Sequence, residues 1–339
     1  MSRRVRSHRA TSEPGEPDAG GERAPRNSPA APPTSLIERL GRWNLRRLGA
    51  RSRIDVIVTG ATSTSLHAYV FDPHPKSPPD APPLVLMHGV GSSATTFARL
   101  LRRLRPHFGT IYVPEAPAHG GSAIPASPFT PDALFELVSG WLDTVPPAPF
   151  VLYGNSLGGG AALRYAALRS ERVSALLLLS PAGAHGSESE LEELVASFDL
   201  KTSADAARFM GRLFERPRWY HRLAGNELRR RFASPPLREF FARAGRDDLL
   251  DPATVSALPM PVLLLWGKAE RLLPDSHRRW FARHLPAHAN LVEPPHFAHS
   301  AYIEHSAEVA ELALGFLAAH RLIPHPERAS STSRDGRED

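Results

Sequence analysis

The 339-residue chain contains no cysteine, which excludes disulfides and thiolate metal sites. Lysine is almost missing as well: it stands only at 76, 201 and 268, and arginine carries the rest of the positive charge. Nowhere do about 18 apolar residues run together, so no transmembrane helix is expected. Arg3-Arg4 is followed by no apolar stretch of the kind a secretory signal carries. Large apolar residues are also scarce in residues 1–34, where Arg, Pro, Gly, Ser and Glu dominate. Such a segment cannot bury enough surface to offset its ordering entropy, and it is expected to be disordered, as is the tail 324–339. Together these absences fit a cytoplasmic protein.

The net charge of +6 is unevenly placed. Residues 1–53 hold twelve arginines against five carboxylates, whereas the stretch 54–323 is electrically balanced. The basic character therefore belongs to the N-terminal arm and not to a face of the core, and no nucleic-acid partner is expected. Residues 35–53 form a leading helix and linker. Leu36, Ile37, Leu40, Trp43 and Leu48 fall largely on one side of it, with Arg39, Arg42, Arg46 and Arg47 around them. The preferred reading packs this helix on the domain with a solvated basic face. The alternative lays residues 35–49 on an anionic membrane surface, which would make the protein peripheral at the inner membrane.

From Ile54 the pattern becomes regular. Strand-like runs at Ile54–Val58 and Leu66–Phe71 precede a Pro-rich loop. Strands then alternate with helices: Leu84–Met87, helix Ala94–Leu104, Thr110–Val113, helix Pro131–Thr144, Phe150–Tyr153, helix Leu157–Arg169 and Val173–Leu179. The strands are apolar almost throughout, as when helices cover both faces of a parallel sheet. The alternation predicts an α/β fold with a doubly wound, mostly parallel sheet. It stops at Ser180. Residues 184–255 read as an all-helical cap inserted after the sixth strand, with helices over Ser187–Phe198, Ala204–Phe214 and Leu237–Ala244. Ser187 and Glu190 form a capping box there. The core, 54–183 in its first part, resumes over 256–323 with strand Val262–Trp266, helix Ser276–Leu285, strand Asn290–Glu293 and helix Ala307–His320.

Gly154-Asn155-Ser156-Leu157-Gly158 fits G-x-S-x-G between an apolar strand and an Ala-rich helix. A serine on so sharp a strand-to-helix turn is held with its hydroxyl exposed, and Gly154 and Gly158 supply the small neighbours the crowded backbone needs. An exposed alcohol is a poor nucleophile, so Ser156 needs a base and the base an orienting acid. Two later segments end at the same sheet edge. One is Val262–Gly267 followed by Glu270, with Asp275 nearby; the other is Asn290–Glu293 followed by His296 and His299. Ligands of open α/β sheets bind at that edge.

With these residues in place the chain resembles the α/β-hydrolase fold superfamily, in the branch of serine esterases and monoacylglycerol lipases. The match covers roughly Ile54 to His320. It rests on the His88-Gly89 turn, the loop from Val113 to Ser122, the elbow at Ser156, and Trp266-Gly267-x-x-Glu270 with His299. The resemblance implies Ser156 as nucleophile, His299 as general base and Glu270 as orienting acid. Glu304, five residues after His299, matches a glutamate of the family, whereas His296 has no such partner and is placed at the entrance. His88 and His119 are assigned to structural turns. The oxyanion donors are expected to be the backbone N–H groups of Leu157, from the elbow, and of Val90, after His88-Gly89; one such donor is typically worth about 3–4 kcal/mol. Glu270 stands where the family usually has Asp, which leaves Asp275 as a rival acid. Glu115 and Ala118 likewise replace an Asp and a Gly. No cofactor and no metal is implied.

The cap carries Phe198, Phe209, Met210, Phe214, Trp219, Tyr220, Phe232, Phe240 and Phe241, so a small-molecule ester with an apolar acyl or aromatic group is the expected substrate. Its arginines read as a solvated helix face. Acyl transfer, carbon–carbon bond hydrolysis and plain ligand binding use the same fold. A dinucleotide-binding reading has one foothold: Gly89-x-Gly91-x-x-Ala94 follows a strand, and Glu115 ends the next. The oligomeric state is not legible.

Overall fold

The computed structural model describes residues 6–8, 35–59, 62–125, 128–219 and 221–324. The first elements are strand β1 (Arg6–His8), helix α1 (Leu36–Arg47), strands β2 (Ala50–Thr59), β3 (Thr62–Phe71) and β4 (Leu84–Met87), helix α2 (Ala98–Leu104) and strand β5 (Ile111–Pro114). Helix α3 (Pro131–Thr144), strand β6 (Phe150–Asn155), helix α4 (Leu157–Leu168) and strand β7 (Val173–Leu179) follow. The insertion holds α5 (Glu188–Ala196), α6 (Ser203–Leu213), α7 (His221–Phe232), α8 (Pro235–Arg243) and α9 (Pro252–Ser256). The chain then returns through β8 (Val262–Leu265), α10 (Asp275–His284), β9 (Asn290–Val292), α11 (Ala301–Glu304) and α12 (Ser306–Ala319).

The nine strands among the described residues join one sheet in the order β1-β2-β3-β5-β4-β6-β7-β8-β9. The first three pairings are antiparallel and the remaining five parallel. Every residue of β4, β5, β6 and β8 is buried, because helices cover both faces there and leave no polar side. β2 lies outside that sandwich and alternates buried with exposed residues instead. Two apolar clusters divide along the sheet: one around Trp141, Phe150 and Trp266, the other around Phe97, Tyr153 and Phe316.

Local chemistry sets the boundaries. Thr130 caps α3, and the Ser187/Glu190 box forms at α5 as its spacing predicts. The hairpin of β2 and β3 reaches back to Ala50, into the segment read as linker. The helix expected over Ala94–Leu104 begins as a 3-10 turn, Ala94–Phe97. Helix α7, hidden by its arginine run and Gly225, was not among the expected cap helices. Apart from Arg6–His8 and Pro324, the two terminal segments expected to be disordered, 1–34 and 324–339, lie outside the described residues, as does Tyr220. Among the described residues no helix is long and apolar enough to cross a membrane.

Candidate active site

The sheet reverses its direction of growth at β4, which lies between β5 and β6. A crevice opens at the carboxyl ends of the strands there, and Ser156 stands on it, directly after β6. Its backbone sits at φ 54°, ψ −123°. That conformation is strained for a residue with a Cβ and persists only where the surroundings enforce it. The enforcement comes from packing. A Cβ on Gly158 would stand 2.5 Å from the Met87 carbonyl oxygen and 2.6 Å from that of His88; one on Gly154 would stand 2.6 Å from Gly159 Cα. Only glycine lets β4, β6 and α4 close on one another so tightly.

His299 reaches the same crevice from the loop after β9. Its Nδ1 lies 2.9 Å from Glu270 Oε2. The second oxygen, Oε1, accepts the backbone N–H groups of Leu272 (2.7 Å) and Leu273 (3.2 Å). Burial opposes the charge on Glu270, but the His299 charge and hydrogen bond, with the Leu272 amide, outweigh it and hold the carboxyl below its ordinary range. The two loops are tied together by Ala269 N–H to the Phe297 carbonyl (3.1 Å). Asn155 joins them to the elbow: its amide donates to the carbonyls of Leu179 (3.0 Å) and His299 (3.2 Å). The rival acid lies elsewhere. Asp275 opens α10 and is more than half exposed, paired with Arg278 and Arg279.

The loop after β4 carries the expected oxyanion donor. Gly89 lies against Ser156, since a Cβ there would stand 3.0 Å from Ser156 Cβ. Leu157 is the first residue of α4, so its N–H has no acceptor within the helix. Two histidines shape the loop, each in a fixed tautomer. His88 donates from Nδ1 to the Gly89 carbonyl and accepts the Ala116 N–H at Nε2. His119 donates to the Pro117 carbonyl and accepts the Gly91 N–H. Both are buried, and each must stay neutral to accept. Arg231, on α7, clamps the loop from the cap side, donating to the carbonyls of Gly91 and Ser92 at 3.0 Å each. Among the cap arginines it departs from the expected solvated face, and no spacing in its run of three distinguishes it.

Glu115 is a buried structural group. It accepts from the N–H groups of Gly121 (2.6 Å) and Ala94 (3.3 Å) and contacts His67 Nδ1 at 2.9 Å. Ala118 stands where the resembled family has Gly and adopts φ +62°, a left-handed backbone that disfavours a Cβ. The dinucleotide reading fails on this geometry. The acid at the end of β5 faces inward and is occupied, and Gly91 is packed under Phe232 and Leu228 of the cap, leaving no berth for a pyrophosphate. His296, which has no glutamate five residues on, pairs with a more distant one: its Nε2 lies 2.7 Å from Glu308 Oε2. With His305 these side chains place ligand atoms within 4.8 Å of one another, a donor set that could take a cation, but two of them already satisfy each other. Glu304 binds the cap, accepting from the N–H groups of Glu215 (2.8 Å) and Arg216 (3.3 Å).

Two cavities meet at Ser156. One, of about 190 Å³, is lined by Ser156, His299, Val90 and Asn155 and by Phe209, Met210 and Phe214 of the cap. The other, about 170 Å³, is lined by Ser156, Val90 and Leu157 with Leu191, Leu194, Val195, Phe240 and Phe241. Phe198 borders both, stacked on Phe241 at 4.6 Å between ring centroids. The cap aromatics thus serve partly as cavity wall; Trp219 is exposed.

The buried histidines predict a specific acid sensitivity. Burial lowers His119 to about 3 and His277 to about 4, and it lowers His88 too. The unfolded chain takes up protons from about pH 6.5 downward while the native state refuses them, so stability falls with pH in that window. Glu270 and Glu115, both lowered, add to the loss only below about pH 4.5. Thermal melts should therefore decline already between pH 6.5 and 5. At about 1.4 kcal/mol per unit per group the loss is a few kcal/mol. A melting temperature flat over that interval would contradict the assignment.

A family model described as "Alpha/beta hydrolase family" matches residues 84–312. A pimeloyl-[acyl-carrier protein] methyl ester esterase of Xanthomonas axonopodis pv. citri is 29% identical over 251 residues, covering 70% of this chain and 96% of that protein. Among solved structures, the carboxylesterase CesB of Bacillus subtilis superposes with a TM-score of 0.65 at 19% identity, over 84% of this chain and 98% of the other. A 2-hydroxy-6-oxo-6-phenylhexa-2,4-dienoate hydrolase from Rhodococcus sp. gives 0.65 at 21%, over 79% and 99%. The two structures share the fold, and the first relative supports an esterase-like hydrolase. Matched by the family model over more than half its length, and sharing the sheet with these proteins, the chain belongs to the alpha/beta hydrolase family.

Proposed function

We propose that the protein is a serine esterase that hydrolyses carboxylic esters with an apolar acyl group through an acyl-enzyme. The observation that carries this reading is the strained Ser156 sharing a cavity with His299, whose Nδ1 is held 2.9 Å from the buried Glu270. Glu270 fixes the imidazole with its proton on Nδ1, which leaves Nε2 free to accept the Ser156 proton as Oγ attacks the carbonyl carbon. The N–H groups of Val90 and Leu157 receive the charge that develops on the carbonyl oxygen.

The two cavities divide the substrate. The imidazole that takes the serine proton must return it to the departing alcohol, so the alcohol lies on the side that His299 lines. The acyl group then occupies the other cavity, between α4, α5 and α8, whose walls are mainly leucine, valine and phenylalanine. Water on the His299 side, deprotonated by the same nitrogen, releases the acid. The sequence relation to a methyl ester esterase accords with a small alcohol.

The test is labelling with a fluorophosphonate probe, read by intact mass and peptide mapping, beside turnover of p-nitrophenyl esters from acetyl to palmitoyl. One label per chain on the Ser156 peptide is expected, with an optimum acyl length set by the second cavity. Folded protein that neither labels nor hydrolyses any of these esters would overturn the reading.

A further inference from the structure

Helix α1 is turned the opposite way from the packing its sequence suggests. Its buried residues are Glu38 and Leu45, while Leu36, Ile37, Leu40 and Trp43 are 69%, 46%, 57% and 55% exposed. At 3.6 residues per turn, Leu36, Leu40, Trp43 and Arg47 share one stripe opposite Glu38 and Leu45. The orientation is pinned by specific contacts. Glu38 accepts from Arg42 (3.3 Å), Ser93 (3.2 Å) and Arg231 (3.4 Å). On the same side Gly41 presses on Thr95, whose Cβ would stand 2.7 Å from an added Cβ. The apolar stripe is thus held outward.

The start of α1 borders the cavity that contains Ser156. Ser35, Ile37 and Glu38 line one wall of that cavity, and Ala224, Glu227 and Leu228 of α7 line the facing one. Beside that second wall, Leu223 is 57% and Trp219 is 78% exposed. Six of the nine exposed large hydrophobic side chains among the described residues therefore lie on α1 or between 219 and 223, the two stretches that adjoin these walls in sequence. The exposed charge on α1 has one sign. Arg39, Arg46 and Arg47 are exposed on α1, and the Arg47 guanidinium sits 4.7 Å from the Trp43 ring centre. Residues 1–34 add six arginines against four carboxylates, and their only large apolar residues are Met1 and Val5. That segment offers few apolar side chains to cover the stripe.

A helix with Leu and Trp on one stripe and arginine beside it suits the boundary between lipid headgroups and acyl chains, and clustered arginine is drawn to anionic headgroups. We propose that α1, with the exposed side chains of Trp219 and Leu223, docks the protein on an anionic lipid bilayer so that the cavity mouth faces the membrane. The ester would then enter from the lipid; that clause alone rests on the esterase reading above.

Flotation of the full chain with phosphatidylcholine vesicles, with and without phosphatidylglycerol, tests the docking independently of catalysis. The wild type should float with the anionic vesicles and much less with the neutral ones. The triple variant Leu36→Ser/Leu40→Ser/Trp43→Ser should lose at least tenfold in partitioning. It should keep its melting temperature and its turnover of soluble p-nitrophenyl acetate, because none of the three side chains lines the cavity. Arg39→Gln/Arg46→Gln/Arg47→Gln should lose binding to the anionic vesicles only. Absence of wild-type flotation, or equal flotation of the serine variant, would overturn the proposal. So would a wild-type dimer in light scattering that the serine substitutions convert to monomer without any lipid binding, since the face would then be a self-interface. A protein that floats but hydrolyses nothing would retain the docking and remove the esterase reading.

Discussion

Glu270→Gln is expected to fold like the wild type and to lose on the order of 10⁴-fold in kcat, whereas Asp275→Asn should stay within about twofold, as exposed surface changes usually do. The two carboxylates are five residues apart, but their surroundings differ completely. Glu270 is buried, with one oxygen on His299 Nδ1 and the other on two backbone amides. A glutamine can keep its carbonyl on the Leu272 and Leu273 N–H groups, so the loop need not move. Its NH₂ then faces Nδ1, and that nitrogen must become the acceptor. The ring proton shifts to Nε2, where the serine proton has to be received, and the base is lost while the fold remains. Glu270→Asp separates geometry from charge. One methylene shorter, the aspartate cannot reach both His299 and the amides, and an intermediate loss is expected. Steady-state kinetics with a soluble ester, beside melting temperatures, decide the matter. Full activity in Glu270→Gln together with loss in Asp275→Asn would reverse the assignment.

Glycine sterics made the elbow readable in the chain: a serine flanked by Gly154 and Gly158 between strand and helix has few other ways to fold, and the structure shows the backbone atoms that demand them. Continuous apolar runs likewise announced β4, β6, β7 and β8, because strands covered on both faces leave no polar position. Helix α1 was harder. Periodicity says that Leu36, Leu40 and Trp43 share a side, but it cannot say which side the domain covers. That was decided by Arg231, nearly two hundred residues away, which pairs with Glu38 and draws the polar stripe inward. The same distance hid Arg231 as a clamp on the Gly91–Ser92 loop, since in sequence it is one arginine of three. His296 and Glu308 were also unreadable as a pair, because only the packing of α12 against the His299 loop brings them together. Motifs fixed by local sterics were legible, and the Glu270–His299 contact was named only through the family resemblance; the contacts of Arg231 and of Glu308 with distant elements were not legible.

Gly267→Ala and Gly315→Ala, the same chemical change, are expected to act with opposite signs. Gly267 follows β8 on the loop that carries Glu270, and a Cβ there would collide with the Phe297 carbonyl and side chain. The obstacle is largely backbone, which no rotamer change can relieve. Either the 267–270 loop or the 294–299 loop must retreat, and both are tied by the Ala269–Phe297 hydrogen bond. Overpacking of this kind costs about 3 kcal/mol or more, which for a unit of this size is roughly 6–12 °C in melting temperature. Activity should fall with it, because Phe297 lies two residues before His299 and its retreat pulls the imidazole from Glu270. Gly315 lies inside α12 with nothing within 4 Å of an added Cβ. There the alanine only removes backbone entropy from the unfolded chain, and a gain of about 0.5–1 kcal/mol is expected with catalysis unchanged. Thermal melts and ester kinetics on the two variants measure both effects. A Gly267→Ala protein as stable and active as the wild type would mean that the acid and histidine loops do not pack as described, and the Glu270–His299 pairing would lose its structural basis.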